Sequence, residues 1–323
     1  MEYRRLGATD LQVSRICFGT FPLSGAWGAF DQDEAIATTR RAFESGINFF
    51  DTAQAYGFGL AEGLISQALG PEIKLHRSDL VLATKGGLRM ENGRPTRDSS
   101  PAWLRQGLEE SLNYLGTDYV DLYQIHWPDS ATPIEETAAT AEDFVREGKV
   151  RYVGVSNYDV AQMEAFGKTR KVDTLQPPYS LFVRQIEDAI LPYCQAERIG
   201  VLIYGPLAHG LLGGGCGPEA VFPEDDWRCN NPAFQGQGLR RNLRVVEKLK
   251  QYAALRGRSV AQLAVAWTLA NPAVDVAIVG ARRSEQIAET AFAAEFHLTK
   301  TEREEVEAIA REAALEEPTP ETV

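Results

Sequence analysis

Short apolar runs alternate with amphipathic stretches from near residue 15 to near residue 295. The runs that read as strands are 15–19, 48–51, 80–84, 121–126, 150–156, 174–176, 201–204 and 274–279. They are brief and apolar, as strands are, and helical patterns fill the gaps between them. Residues 33–45 follow an aspartate, place Ile36, Thr39 and Phe43 on one face, and stop at Gly46. Residues 101–114 open behind Ser100, a hydroxyl cap followed by Pro101 in the first turn. Leu104, Leu108, Leu112 and Leu115 then form an apolar stripe. Residues 133–147 end at Gly148, a glycine that suits a helix C-terminus.

Eight strand–helix units predict a parallel sheet with helices outside it. Closed on itself, that sheet is a (β/α)8 TIM barrel, expected here as a single domain over residues 1–323. An open doubly wound sheet is the alternative. Residues 2–13 read as a hairpin ahead of the barrel, with a turn near residues 7–10. Residues 206–236 are rich in glycine and proline and carry Trp227 and Phe234, which predicts an extended loop after the seventh strand. Residues 301–313 read as a C-terminal helix, and the tail 316–323, with two prolines, is expected to fray.

Composition narrows the function classes. The 323 residues are 44% hydrophobic and 24% charged, enough for a large core. The formal net charge of −12 repels phosphate backbones and anionic lipid, so neither nucleic acid nor a membrane is an expected partner. A dinucleotide would need a local positive pocket. Cys17, Cys194, Cys216 and Cys229 form no CxxC pair, and histidine occurs only four times. A zinc site and a disulfide framework are both unsupported, and no metal is expected. The first ten residues hold no apolar segment, and no later run approaches the ~18 residues of a spanning helix. A cytoplasmic protein is expected. The glycine run 210–217 is no GxGxxG between a strand and a helix, which argues against a Rossmann site.

In a parallel barrel the C-terminal ends of the strands face one shared mouth. The second strand ends at Asp51, with Tyr56 on the loop that follows; the third ends at Lys85 and the fourth at His126. Leu122, Gln124 and His126 share a face, so His126 can point inward while Tyr123 and Ile125 point out. Taken singly, each residue has a structural explanation: a cap, a packed ring, a solvated end, an interior histidine. Together they define a site. A buried lysine needs a counter-charge, which Asp51 supplies. A tyrosine beside that lysine should have its pKa lowered from about 10, making it a usable acid or base.

The motifs GINFFDTAQAYG, LATKGG, DLYQIHWPD, VRYVGVSNY, LQPPYSL, GVLIYGPLAHGLL and AIVGARRSEQI occur in this order, each on the expected element. By them the chain resembles the aldo-keto reductase superfamily over residues 3–300. The resemblance implies a tetrad of Asp51, Tyr56, Lys85 and His126. In it tyrosine protonates the carbonyl oxygen as hydride arrives from the nicotinamide, lysine lowers the tyrosine pKa, aspartate holds the lysine, and histidine orients the carbonyl. It also implies carboxamide contacts from Ser156, Asn157 and Gln176, and a stack on Tyr204. Gly19, Thr20 and Phe21 would line the other side. Gly205, Pro206, Leu207, Gly280, Arg282, Gln286 and Thr290 would hold the pyrophosphate and adenosine end. Many family members carry arginine where this chain has Gln286, so charge for a 2′-phosphate would have to come from Arg282, Arg283 or elsewhere. Trp27, in a Gly25–Gly28 segment similar to a bacterial subgroup, and Trp127 are the expected walls of the substrate mouth. The implied activity is reduction of aldehydes or ketones of small molecules with NADPH, or less readily NADH. The alternative is a slow, cofactor-sensing regulatory protein similar to the potassium-channel beta subunits. A barrel hydrolase is not supported, for want of a second carboxylate pair or a metal cluster.

Overall fold

The computed structural model of the protein describes residues 1–91, 94–223 and 226–315. An antiparallel hairpin comes first, β1 (Tyr3–Arg5) and β2 (Gln12–Ser14). The chain then alternates through β3 (Ile16–Gly19), α1 (Gln32–Glu44), β4 (Phe49–Asp51), α2 (Leu60–Leu75) and β5 (Val81–Gly86). A second hairpin follows, β6 (Leu88–Glu91) with β7 (Arg94–Arg97). Next come α3 (Pro101–Leu115), β8 (Val120–Ile125), α4 (Ile134–Arg146), β9 (Val150–Ser156), α5 (Val160–Gly167), β10 (Thr174–Gln176) and α6 (Ile190–Glu197). The chain closes with β11 (Gly200–Tyr204), α7 (Gly236–Ala254), α8 (Val260–Leu269), β12 (Val276–Gly280), α9 (Ser284–Ala291) and α10 (Lys300–Leu315). Strands β3, β4, β5, β8, β9, β10, β11 and β12 pair in parallel and close into a barrel. The TIM barrel is therefore the architecture, and the open-sheet alternative falls.

The alternation of side chains along each strand separates two apolar layers. Cys17, Phe49, Val81, Ala83, Leu122, Leu202, Val276 and Ile278 fill the barrel interior. Their neighbours, among them Phe18, Phe50, Leu82, Tyr123, Ile125, Val153 and Ile203, point outward under the helices. The N-terminal hairpin adds Leu6, Leu11 and Val13 to the inner layer, so it plugs one end of the barrel. Gly7 makes that plug fit. Its φ is +52°, and a Cβ there would lie 2.3 Å from the Gly200 nitrogen.

Boundaries moved by a residue or two from expectation. The third barrel strand runs on to Gly86, which puts Lys85 inside it, and the last begins at Val276. On α1 the fully buried positions are Ala35, Thr38, Thr39 and Ala42, with Ile36 and Phe43 only partly covered. The hairpin at 88–97 was not expected, although Asn92-Gly93 in its sequence is a strong turn signal. The loop after β11 is long, as expected, and among its described residues it holds three short 3-10 turns. The expected C-terminal helix is α10, and the tail 316–323 lies outside the described residues. Among the described residues, no helix is long and apolar enough to cross a membrane.

Candidate active site

Above the apolar interior, at the C-terminal ends of the strands, lies a layer of polar side chains. Asp51 ends β4, Lys85 lies in β5 opposite Gln124 of β8, and Gln176 ends β10. All four are buried, Lys85 completely. Lys85 Nζ donates to Asp51 Oδ2 at 2.6 Å and to the Thr52 carbonyl at 2.9 Å, and it lies 3.4 Å from the Tyr56 hydroxyl. The other carboxylate oxygen, Asp51 Oδ1, accepts from Gln176 Nε2 at 2.9 Å and Gln124 Nε2 at 3.2 Å. This is the arrangement a buried ion pair needs, with a counter-charge and hydrogen bonds on the remaining lone pairs. Gln124 was recognised from the sequence as inward-facing but given no role. Its place two residues before His126 on one strand face was the available signal.

Tyr56 is set by a tight turn, in which its N–H donates to the Ala53 carbonyl at 2.9 Å, ahead of two left-handed glycines, Gly57 and Gly59. Its ring meets Phe21 edge-on at 5.2 Å and His126 at 5.7 Å. Burial pushes the phenol pKa up, and Lys85 pulls it down without overcoming that burial. The lowering expected from the lysine alone is thus reversed by desolvation. Burial alone would lower Lys85; Asp51 and Tyr56 outweigh it and hold the ammonium above its ordinary range. Burial, and then the charge of Lys85, keep His126 well below its ordinary value, so its imidazole is neutral. Its Nδ1 is buried with no hydrogen-bond partner among the described residues.

A second network adjoins the first. Asn157 takes a left-handed φ of 62° just past β9. Its Nδ2 donates to the His126 carbonyl at 3.1 Å and to Ser156 Oγ at 3.0 Å, while its Oδ1 accepts from the Tyr204 hydroxyl at 2.9 Å. Ser156 Oγ donates to the Gln176 carbonyl at 2.9 Å. Asn157 Oδ1 keeps a lone pair beyond that bond, and nothing donates to Gln176 Oε1 among the described residues. Both suit the N–H2 of a carboxamide, so these residues fit a nicotinamide.

The remaining candidates are placed as follows. Thr20 is buried, with N–H and hydroxyl both on the Asp51 carbonyl, so it braces that strand end. Gly19 pairs with both Asp51 and Gly280. A Cβ on Gly280 would lie 2.6 Å from Pro22 Cγ, so the close approach this glycine permits is to the loop after β3. Gly205 is left-handed at φ 69°, Pro206 is buried and Leu207 is partly covered. Thr290 is buried, with its hydroxyl on the Gln286 carbonyl at 2.9 Å. Arg282 donates to the Gly28 and Ala29 carbonyls at 3.1 and 2.8 Å, and Gln286 Oε1 accepts from the Arg282 and Arg283 amides.

Trp27 packs edge-on against Phe21 at 5.8 Å, one ring removed from Tyr56. Its other contact, not anticipated from the sequence, is the Arg228 guanidinium 4.6 Å from its centroid. Trp127 follows His126 and carries the Arg97 guanidinium at 5.0 Å.

A lysine–aspartate pair lies beside a tyrosine and a histidine at the C-terminal mouth of a (β/α)8 barrel, and the chain is similar to known proteins over most of its length. The Aldo/keto reductase family model matches residues 15–311. Aldo-keto reductase YhdN of Bacillus subtilis (strain 168) is 41% identical over 289 residues, covering 89% of this chain and 87% of that protein. The NADH-specific methylglyoxal reductase of Escherichia coli (strain K12) is 33% identical, covering 95% and 98%. The structure of the glycerol dehydrogenase AKR11B4 from Gluconobacter oxydans superposes with a TM-score of 0.88 at 36% identity, covering 99% of this chain and 98% of that one. The chain belongs to the aldo/keto reductase family. It is an NAD(P)H-dependent oxidoreductase that acts on carbonyl groups.

Proposed function

We propose that the protein reduces aldehyde or ketone groups of small molecules with NADPH, and that Tyr56 donates the proton. The observation that carries this reading is the buried chain Asp51–Lys85–Tyr56, ending beside His126 at the barrel mouth. When bound, a reduced nicotinamide supplies the hydride. Tyr56 keeps its proton near neutral pH because burial disfavours the phenolate, so it acts as an acid toward a carbonyl oxygen that gains charge. Lys85, fixed in its charged form by Asp51, stabilises the phenolate left behind. Gln124 and Gln176 hold Asp51. Neutral His126 orients the carbonyl by hydrogen bonding, and Phe21, Trp27 and Trp127 wall the mouth. Ser156, Asn157 and Gln176 would hold the carboxamide, and Tyr204 would offer its ring to the nicotinamide.

Gly19, Thr20 and Phe21 would line the other side of the nicotinamide, and Gly205, Pro206, Leu207, Gly280, Arg282, Gln286 and Thr290 would hold the cofactor's pyrophosphate and adenosine end. Preference for NADPH rests on Arg282 and Arg283. It is narrow, because Arg282 already serves two carbonyls of the loop after β3. A cytoplasmic setting suits the buried thiols of Cys17 and Cys194, whose pKa values burial raises.

The test follows NADPH absorbance against a panel of aldehydes, ketones, sugars and 2-oxo acids, for wild type and Tyr56→Phe. The variant should lose about 10²–10⁴ in kcat and keep its NADPH affinity. More than about a third of the wild-type kcat remaining in the variant would remove Tyr56 from the role of proton donor.

A further inference from the structure

Three successive backbone amides, those of Arg282, Arg283 and Ser284, lead into α9, and the protein already occupies each of them. Gln286 Oε1 accepts from Arg282 N at 3.0 Å and Arg283 N at 3.2 Å. Glu34 Oε1 accepts from Ser284 N at 2.9 Å and Ser284 Oγ at 3.2 Å. Glu34 does not belong to α9. It comes from the first turn of α1, where Asp31, not Glu34, caps the helix by accepting from the Glu34 N–H. The carboxylate is half-buried and also accepts from Thr38 Oγ1 at 3.4 Å. No cation forms an ion pair with it among the described residues. Arg282, two residues from Ser284, directs its guanidinium to the Gly28 and Ala29 carbonyls instead.

An exposed helix start is an anion site, because free N–H groups and the helix dipole both favour negative charge. Here the anion is built in. We propose that Glu34 is a specificity-determining residue for the dinucleotide: its carboxylate opposes an adenosine 2′-phosphate at the start of α9 and keeps the affinity for NADPH close to that for NADH. This rests on the reading above, in which Arg282 to Thr290 hold the adenosine end. A phosphate monoester carries about 1.5–2 negative charges near neutral pH, and two partly buried like charges repel strongly. The 2′-hydroxyl of NADH carries no charge and can donate a hydrogen bond to the same carboxylate. The charge on Glu34 therefore disfavours one cofactor and tolerates the other. No residue of the hydride-transfer site takes part.

The experiment titrates the intact protein with NADPH and NADH by fluorescence quenching, with 2′,5′-ADP and 5′-ADP as competitors that carry no nicotinamide. Glu34→Gln keeps an oxygen for the Ser284 N–H and removes the charge. It should lower the NADPH Kd about tenfold and leave the NADH Kd within about twofold. The affinity for 2′,5′-ADP should rise in step while that for 5′-ADP stays. Glu34→Ala should move the preference the same way. If both variants bind the two cofactors with the wild-type Kd ratio, or weaken both equally, Glu34 is only a cap and the proposal is overturned. If wild type binds neither dinucleotide, the adenosine-site reading fails and takes this inference with it.

Discussion

Lys85 Nζ touches a carboxylate, a carbonyl and a phenol within 3.4 Å while wholly cut off from water. Its charge acts on Tyr56 against the desolvation that raises the phenol pKa. In the proposed mechanism reduction uses protonated Tyr56, so its rate should hold level through neutral pH and fall as pH rises through the Tyr56 pKa. Alcohol oxidation uses the phenolate and should rise over the same range. Lys85→Met removes the lowering influence, so the Tyr56 pKa goes further up. The alkaline fall in reduction then moves to higher pH, and oxidation near pH 8 drops more than about tenfold, one pKa unit being one factor of ten. Asp51→Asn removes both a carboxylate that itself raises the Tyr56 pKa and the partner that offsets the burial of Lys85, so its profile should shift less than that of Lys85→Met. Initial rates in both directions across pH check this. A Lys85→Met profile that overlays the wild type apart from its height would sever Lys85 from the titration of Tyr56.

In the long loop between β11 and α7, Arg228 gathers several separate contacts. Arg228 forks onto Asp226 at 3.0 and 2.6 Å, donates to the His209 carbonyl at 3.1 Å, and stacks on Phe222 at 4.5 Å and on Trp27 at 4.6 Å. Separate parts of one loop and the loop after β3 are thereby tied together. A planar guanidinium can do this because it offers hydrogen bonds at its edge and a cationic face to rings. Arg228→Lys loses the fork and the stacking, so both loops should loosen together. Limited proteolysis should cut residues 205–235 several-fold faster than in wild type, and substrate KM should rise more than kcat falls. An unchanged digestion pattern would show that the backbone turns of the loop hold it without Arg228.

Stability and chemistry are assigned to opposite ends of the barrel. The hairpin β1–β2 closes one end with Leu6, Leu11 and Val13, all buried in the inner layer. The polar layer with Asp51, Lys85 and Gln124 lies at the other. Leu6→Ala leaves a cavity against Gly200, which Leu6 contacts closely, and should cost about 2–5 kcal/mol. The midpoint of chemical or thermal unfolding should fall, while kcat and cofactor Kd at 25 °C stay close to wild type. A loss of activity matching the loss of stability would mean that the two ends are mechanically coupled.

The order of strands and helices, and with it the barrel, could be read from the chain, because burial on both faces of a parallel sheet imposes short apolar runs at a regular interval. Candidate residues at the strand ends could be named for the same reason: a strand's period of two fixes which side chains share the mouth. Asp51, Lys85 and His126 stand at strand ends in that pattern, and Gln124 shares a face with His126. Asn92-Gly93 is the sequence signal for the hairpin at 88–97. What the chain order does not encode is which groups separated by long stretches of sequence share a desolvated volume. The rise of the Tyr56 pKa depends on how much water the closed mouth excludes. The Arg228 stack on Trp27 joins residues 201 positions apart in number (228 less 27). Glu34 reads as an ordinary first-turn acid of α1 until tertiary packing sets it on Ser284, 250 residues away. Local pattern is a property of a few neighbouring residues, whereas a pKa, a stack or a filled helix start depends on the whole set of groups that folding brings within a few ångströms.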